Sequence, residues 1–192
     1  MIDLFSPGIQ TIAQAAARKG VKLDVRLVPL TAFSAGEAAA ALGVEIGQIV
    51  RTVVCVAPRP GGNVIPVVCL VSGRNRLDFD LLKAVTGEPF VRETTDWEAH
   101  ALFGHFAGGM PPFGHGHRYG HDHDRDHGIR TVMDQSLGRY EWLWAAAGAE
   151  STVIRISPRT LRMLSNAVVA PVAHPSWMRP LETAAAGRRA AE

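Results

Sequence analysis

Two apolar runs decide the fold: Ile49-Val50-Arg51-Thr52-Val53-Val54-Cys55-Val56-Ala57 and Val64-Ile65-Pro66-Val67-Val68-Cys69-Leu70-Val71. Between them lies the turn cluster Pro58-Arg59-Pro60-Gly61-Gly62-Asn63. Both runs are β-branched and too short for core helices, so they read as two strands of a hairpin with a six-residue loop. Pro66 lacks an N–H for a ladder and therefore suits an edge strand or a bulge better than a central strand.

Upstream, Ser6 and Pro7 open a helix that Gly20 stops, with Ile9, Ile12, Ala13 and Ala16 at helical spacing. Leu23 to Leu30 alternates as a half-buried strand. Ser34-Ala35-Gly36-Glu37 is a capping box for a short helix ending at Gly43. Downstream, Asp78 caps a helix through Val85, and Pro89 to Arg92 reads as a short strand. Thr95-Asp96-Trp97-Glu98 is a second capping box, for a helix to about Phe103. Strands follow at Ile129 to Met133, Arg139 to Trp144 and Ser151 to Ile156. Ser157-Pro158 opens a last helix, and Val168 to Val172 is a last strand. Several strand pairs are joined too closely for βαβ crossovers. The chain therefore belongs to the α+β or mixed α/β class, with a mixed or largely antiparallel sheet and helices around it.

The 192 residues fit one domain and bury enough surface to need no staple. Apolar residues make up 47% and charged residues 20%, which excludes wholesale disorder, collagen and coiled coil. A net charge of +2 neither demands nor excludes nucleic acid. Cys55 and Cys69 cannot build a disulfide framework or a four-cysteine zinc site and read as buried free thiols. Apolar runs of about eight residues fall far short of a membrane span. The first residues lack a basic n-region and a long h-region, so a reduced cytoplasm is the expected compartment. Residues 1–174 are expected to form one domain, with 116–128 inserted as a His-rich loop and 175–192 as a frayed tail.

Three features carry candidate chemistry. Gly108-Gly109-Met110-Pro111-Pro112-Phe113-Gly114 combines residues that let backbone approach a ligand with residues that freeze φ. It is either a rigid, backbone-lined pocket wall or a plain tight connection. Arg51 is a lone cation in an apolar strand. It either points to solvent or faces a cavity and holds an anion with its planar fork. The run His115 to His127 holds five histidines and three aspartates. Such ligands suit zinc, nickel or copper, but no fixed spacing organises them, and a hydrophilic loop is the plainer reading. His117, His121, His123 and His127 are thus weak metal candidates, and no cofactor is called for. Asp134 reads either as an acid or as a turn residue. No nucleophile elbow, Walker loop or zincin helix is present.

Four segments in order carry a resemblance: Ser34 to Val44 with Gly47 to Val53, Leu70 to Asp78, Gly108 to His115, and Val132 to Asp134 with Glu141 to Gly148. Together they resemble the YbaK/EbsC family of aminoacyl-tRNA deacylases, related to the editing insertion of bacterial prolyl-tRNA synthetases. The likeness spans about Val25 to Val172. It implies a curved, partly barrel-like mixed sheet surrounded by helices, and hydrolysis in trans of the ester joining a wrong amino acid to tRNA. It further implies that Gly108, Gly109, Met110, Pro111 and Pro112 line the pocket with backbone groups. A ribose hydroxyl of the terminal adenosine assists water, and no metal takes part. The family usually has Lys where Arg51 stands; Arg keeps the charge but is larger, planar and not readily deprotonated. Arg74 stands where the family commonly has Asp. With Arg76 it adds positive charge near the expected mouth, where an RNA backbone is favoured.

These features give a leading expectation of a deacylase for a small ester such as Ala, Ser, Thr or Cys. Its partners are aminoacyl-tRNA and a synthetase, not membrane or DNA. The site comprises Arg51 and Gly108 to Pro112, with Ser72, Gly73, Arg74, Arg76, His115 and Asp134 at the substrate, and Arg51 faces the same cavity as the loop. One rival is a non-catalytic tRNA- or nucleotide-binding module, kept open by Arg51; another is a metal-binding protein, resting on the histidines.

Overall fold

A computed structural model describes residues 6–29, 34–104, 109–115 and 130–177. Gly108, the histidines from His117 to His127 and the segment from 178 onward lie outside the described residues. In chain order, α1 is Pro7–Ala17, β1 Asp24–Leu27, α2 Ala35–Leu42, β2 Val50–Pro58, β3 Val64–Ser72 and β4 Asn75–Leu77. Then come α3 Phe79–Thr86, β5 Arg92–Glu93, α4 Asp96–Phe103, β6 Arg130–Asp134 and β7 Leu143–Ala146. The last are β8 Thr152–Ile156, α5 Pro158–Ser165, β9 Val168–Ala170 and β10 Ala173–Pro175.

The hairpin is the centre of the molecule. β2 and β3 pair antiparallel from Val50↔Ser72 to Pro58↔Val64. They lie inside a five-stranded sheet of order β5-β2-β3-β6-β9, in which β6 runs parallel to both β3 and β9. β3 is thus a central strand, contrary to the edge position that Pro66 suggests. The proline is tolerated because β6 begins to pair only at Val67, so residue 66 has no partner on that side. A three-stranded antiparallel sheet, β1-β8-β7, meets the larger one at an Ile49↔Trp144 bridge. The sheets are mixed and the class is α+β, as the strand spacing predicts.

Alternation along β2 and β3 gives the five-stranded sheet two buried faces. On the first, Val50, Val54, Val68, Leu70 and Met133 pack with Ile12 and Ala16 of α1, Ala99 and Phe103 of α4, Leu161 and Leu164 of α5, and the apolar side of the smaller sheet. On the second, Val53, Cys55, Val67, Cys69 and Val71 pack under Leu82 of α3. Each fully buried Leu or Val contributes about 1.5–3 kcal/mol, so the two faces together hold the sheet. Cys55 and Cys69 are free and buried. The hydrogen bond that the Cys69 S–H gives to the Cys55 sulfur, and then burial, push the Cys69 thiol up from its ordinary range.

Local caps set the helix starts. Ser34–Glu37 and Thr95–Glu98 both form reciprocal capping boxes, and Asp78 accepts from the Asp80 and Leu81 amides. Three local readings change. Arg139 is the end of a one-turn 3-10 segment, Gln135–Arg139, started by the Asp134 side chain, so β7 begins only at Leu143. The strand expected at Pro89 to Arg92 falls at Arg92–Glu93 instead. A two-stranded ribbon of β4 and β10 was not expected; it pairs Ala173↔Leu77 and His174↔Arg76 over the second face.

Candidate active site

The loop after α4 is described from Gly109. Met110 and Phe113 sink into the first apolar cluster at 1% and 2% exposure, and Pro111 and Pro112 are buried as well. His115 Nε2 lies 2.7 Å from the Pro111 carbonyl oxygen, so this ring nitrogen carries the proton and donates. The same ring stands edge-on to Phe103, with centroids 5.1 Å apart. Gly114 has φ +88°, and a Cβ there would lie 3.3 Å from Ile12 Cγ2. That position needs glycine on both counts. Gly109 differs: it is exposed, its φ is outside the left-handed region, and no described atom lies within 4 Å of where a Cβ would be. Among the described residues of this anchored segment, Gly109 is thus a glycine whose lack of a side chain no described neighbour requires.

Arg51 belongs to a different neighbourhood. It is exposed, and its Nη1 donates to the Asn75 carbonyl at 3.2 Å. Asn75 Nδ2 donates to Ser136 Oγ at 2.8 Å and to Asp134 Oδ2 at 3.3 Å. The Asp134 carboxylate, 1% exposed, also accepts from the Ser136 hydroxyl and amide and from the Val172 amide. Its oxygens are committed to the protein, and it ties the ribbon to β6. Ser72 is fully buried and donates to the Gly47 carbonyl at 2.8 Å. Gly73 lets the chain pass under α2, since a Cβ would meet the Ile46 carbonyl oxygen at 2.5 Å and Ala35 Cβ at 3.0 Å. Arg74 and Arg76 are exposed on the ribbon. Among the described residues no carboxylate is within ion-pair distance of Arg51, Arg74 or Arg76.

The structure brings Arg51, Ser72, Gly73, Arg74, Arg76 and Asp134 together at one end of the sheet. It does not bring the side chains of Arg51 and the loop to one face. Arg51 shares the strand parity of Val53 and Cys55, on the second face, whereas Met110 and Phe113 pack on the first. Asn75 and Ser136, which position Arg51 and Asp134, carry no local sequence signal, because Asn75 is bound 59 residues along the chain. No group of three metal-ligating side chains stands together among the described residues, and none of their helices is long and apolar enough to cross a membrane.

The family model for the aminoacyl-tRNA editing domain matches residues 31–164, which include β2, β3, the glycine-proline loop and Asp134 with its partners Asn75 and Ser136. The chain belongs to the aminoacyl-tRNA editing-domain family. One relative of this editing domain is the Enterococcus faecalis protein described as "Putative Cys-tRNA(Pro)/Cys-tRNA(Cys) deacylase EbsC", 26% identical over 134 residues, 70% of this chain and 73% of that one. A crystal structure described as "a putative trans-editing enzyme for prolyl tRNA synthetase" matches at TM-score 0.73 and 33% identity, over 88% of this chain and 98% of the other. The crystal structure of hypothetical protein APE2540 matches at TM-score 0.70 and 26% identity, over 85% and 99%. The YbaK/EbsC resemblance and the fold expected from it are thereby met, and this editing domain is of the deacylase kind at family level.

Proposed function

We propose that this chain hydrolyses, in trans, the ester of a small amino acid (Ala, Ser, Thr or Cys) on a mischarged tRNA. The observation that carries the reading is Gly109: an exposed backbone with no described atom within 4 Å of where a side chain would begin, next to a segment held by Met110, Pro111, Pro112, Phe113 and His115. Backbone groups there accept a compact aminoacyl group and leave no side chain to discriminate finely among small ones. Synthetase pockets reject small amino acids weakly by binding alone, which is why hydrolytic editing exists. The names of the Enterococcus faecalis relative and of the trans-editing structure point the same way.

In this proposal water adds to the acyl carbon, assisted by the neighbouring ribose hydroxyl. N–H groups of Gly108, Gly109 and Met110 hold the developing oxyanion, and Pro111 and Pro112, with no N–H, offer only carbonyls and shape. The acyl–oxygen bond breaks, and the proton lost by water ends on the ribose oxygen. Arg51, Arg74 and Arg76, which have no carboxylate partner among the described residues, hold tRNA phosphates, with Arg51 hydrogen-bonded to Asn75 of the Asp134 network. Ser72, Gly73 and Asp134 support that surface from within, and His115 positions the loop. A synthetase that produces the mischarged tRNA is a further partner, and the cytoplasm is the place of action.

The test is a panel of alanyl-, seryl-, threonyl- and cysteinyl-tRNA incubated with the purified chain with and without EDTA. Release of amino acid that survives chelation is the expected result. Binding of tRNA without turnover assigns the chain to the non-catalytic module. Turnover lost with chelation and restored by zinc assigns the chemistry to the histidine run.

A further inference from the structure

The hydroxyl of Thr52 is buried and has no hydrogen-bond partner among the described residues. The side chain as a whole is half-buried; it is Oγ1 that is shut off from solvent. Thr52 lies between Val50 and Val54 on β2, opposite Leu70 of β3. Val50, Val54 and Leu70 belong to the same apolar cluster as Met110 and Phe113 of the glycine-proline loop. Strand alternation therefore puts Thr52 on the loop's face of the sheet and Arg51, its neighbour, on the other. An orphaned hydroxyl in a packed core is disfavoured, and valine would fill the same volume without that cost. The neighbouring hydroxyl and amide groups at this end of the sheet, those of Ser72, Asn75 and Ser136, all have partners.

We infer that Thr52 is a substrate-contact residue, whose hydroxyl is completed by a polar atom of the 3′-aminoacyl ester held at the loop. This rests on the deacylase reading above. Every such ester offers a carbonyl oxygen to accept from Oγ1 and an α-ammonium to donate to it. Thr52 thereby supplies on the loop's face a polar contact that Arg51 does not.

The test compares the parent with Thr52→Val and Thr52→Ser. Three quantities are read: the melting temperature, hydrolysis of the four mischarged tRNAs, and binding of the non-hydrolysable 3′-aminoacylamino-adenosines of Ala, Ser, Thr and Cys. Thr52→Val is expected to melt at the parental temperature or about 2–4 °C above it, while analogue binding and turnover fall at least tenfold. Thr52→Ser keeps both within about threefold. An active parent whose Thr52→Val variant binds and turns over like it overturns the inference and leaves the deacylase reading standing. So does a Thr52→Val variant that melts lower, because its hydroxyl then has a partner inside the folded protein. A parent that neither binds any analogue nor hydrolyses any of the four esters removes the deacylase reading, and this inference falls with it.

Discussion

His115 Nε2 lies 2.7 Å from the carbonyl oxygen of Pro111, closing a four-residue turn over two prolines that have no N–H of their own to give. This contact, with the Phe103 ring against the imidazole, fixes where the Pro111 carbonyl points. His115→Ala is expected to cost about 1 kcal/mol of stability and to lower deacylation about five- to tenfold. Amide exchange at Met110 and Phe113 should quicken in the same variant. Unchanged exchange alongside an unchanged rate would show that the loop holds its shape without the histidine.

Gly109 and Gly114 should respond oppositely to alanine. Gly114→Ala forces a β-carbon onto positive φ and toward Ile12, and is expected to lose about 1–2 kcal/mol of stability with the rate per folded molecule kept within a few-fold. Gly109→Ala is expected to keep the parental unfolding midpoint and lose at least tenfold in rate, about 1.4 kcal/mol of barrier. Denaturant midpoints and single-turnover rates on the same preparations decide it. A Gly109→Ala enzyme as fast as the parent would remove this backbone from the substrate's path.

Arg51→Ala is expected to fold like the parent, within about 0.5 kcal/mol, because the side chain is exposed and its described hydrogen bond is a single, part-buried one to a carbonyl. If Arg51 holds a phosphate, KM rises about tenfold with kcat little changed. The slope of log(kcat/KM) against log[salt] then becomes shallower by roughly 0.7–0.9. A loss confined to kcat, with the salt slope untouched, would place Arg51 at the ester instead.

Glu98 closes the Thr95 capping box and pairs with Arg92 through both carboxylate oxygens, at 2.6 and 2.8 Å. The Arg92 guanidinium first, and then the Thr95 amide, lower its carboxyl from 4.5 to about 2. A carboxyl lowered by folding stabilises the fold above its unfolded value, and that contribution is lost as pH falls through the folded value. The melting difference between the parent and Glu98→Gln is therefore expected to be full above about pH 5 and to vanish between pH 4.5 and 2. A difference that persists to pH 2 would assign the effect to packing of the α4 start.

How much of this the sequence discloses depends on range. Ser34, Asp78 and Thr95 each speak to amides two or three residues away, so their helices are legible from short strings. The hairpin is legible because its two runs are long and joined by a turn cluster. The ribbon of β4 and β10 is not: each strand has three residues, one contains Pro175, and their paired residues lie 96 to 100 positions apart, from Ala173↔Leu77 to Pro175↔Asn75. Pro66 misleads because an edge is a local condition, here met by the late start of β6 and not by the position of β3. At the site, the glycine-proline string and Arg51 stand out as residues, but which face each occupies follows from the pairing register. Thr52 is unremarkable in sequence, and its orphaned hydroxyl exists only once the sheet has closed around it.

Cys55 and Cys69 are the only thiols in the chain, and both are sealed against the second face of the sheet. Maleimide or a disulfide reagent added to the native protein should therefore find nothing to label until the central hairpin opens. A cysteine introduced at the surface, for instance Glu150→Cys, becomes a single-site handle for a fluorophore without deleting either native residue. Left unlabelled, the two native sulfurs act as a clock, since their rate of modification in mild denaturant reports how often the middle of the molecule comes apart.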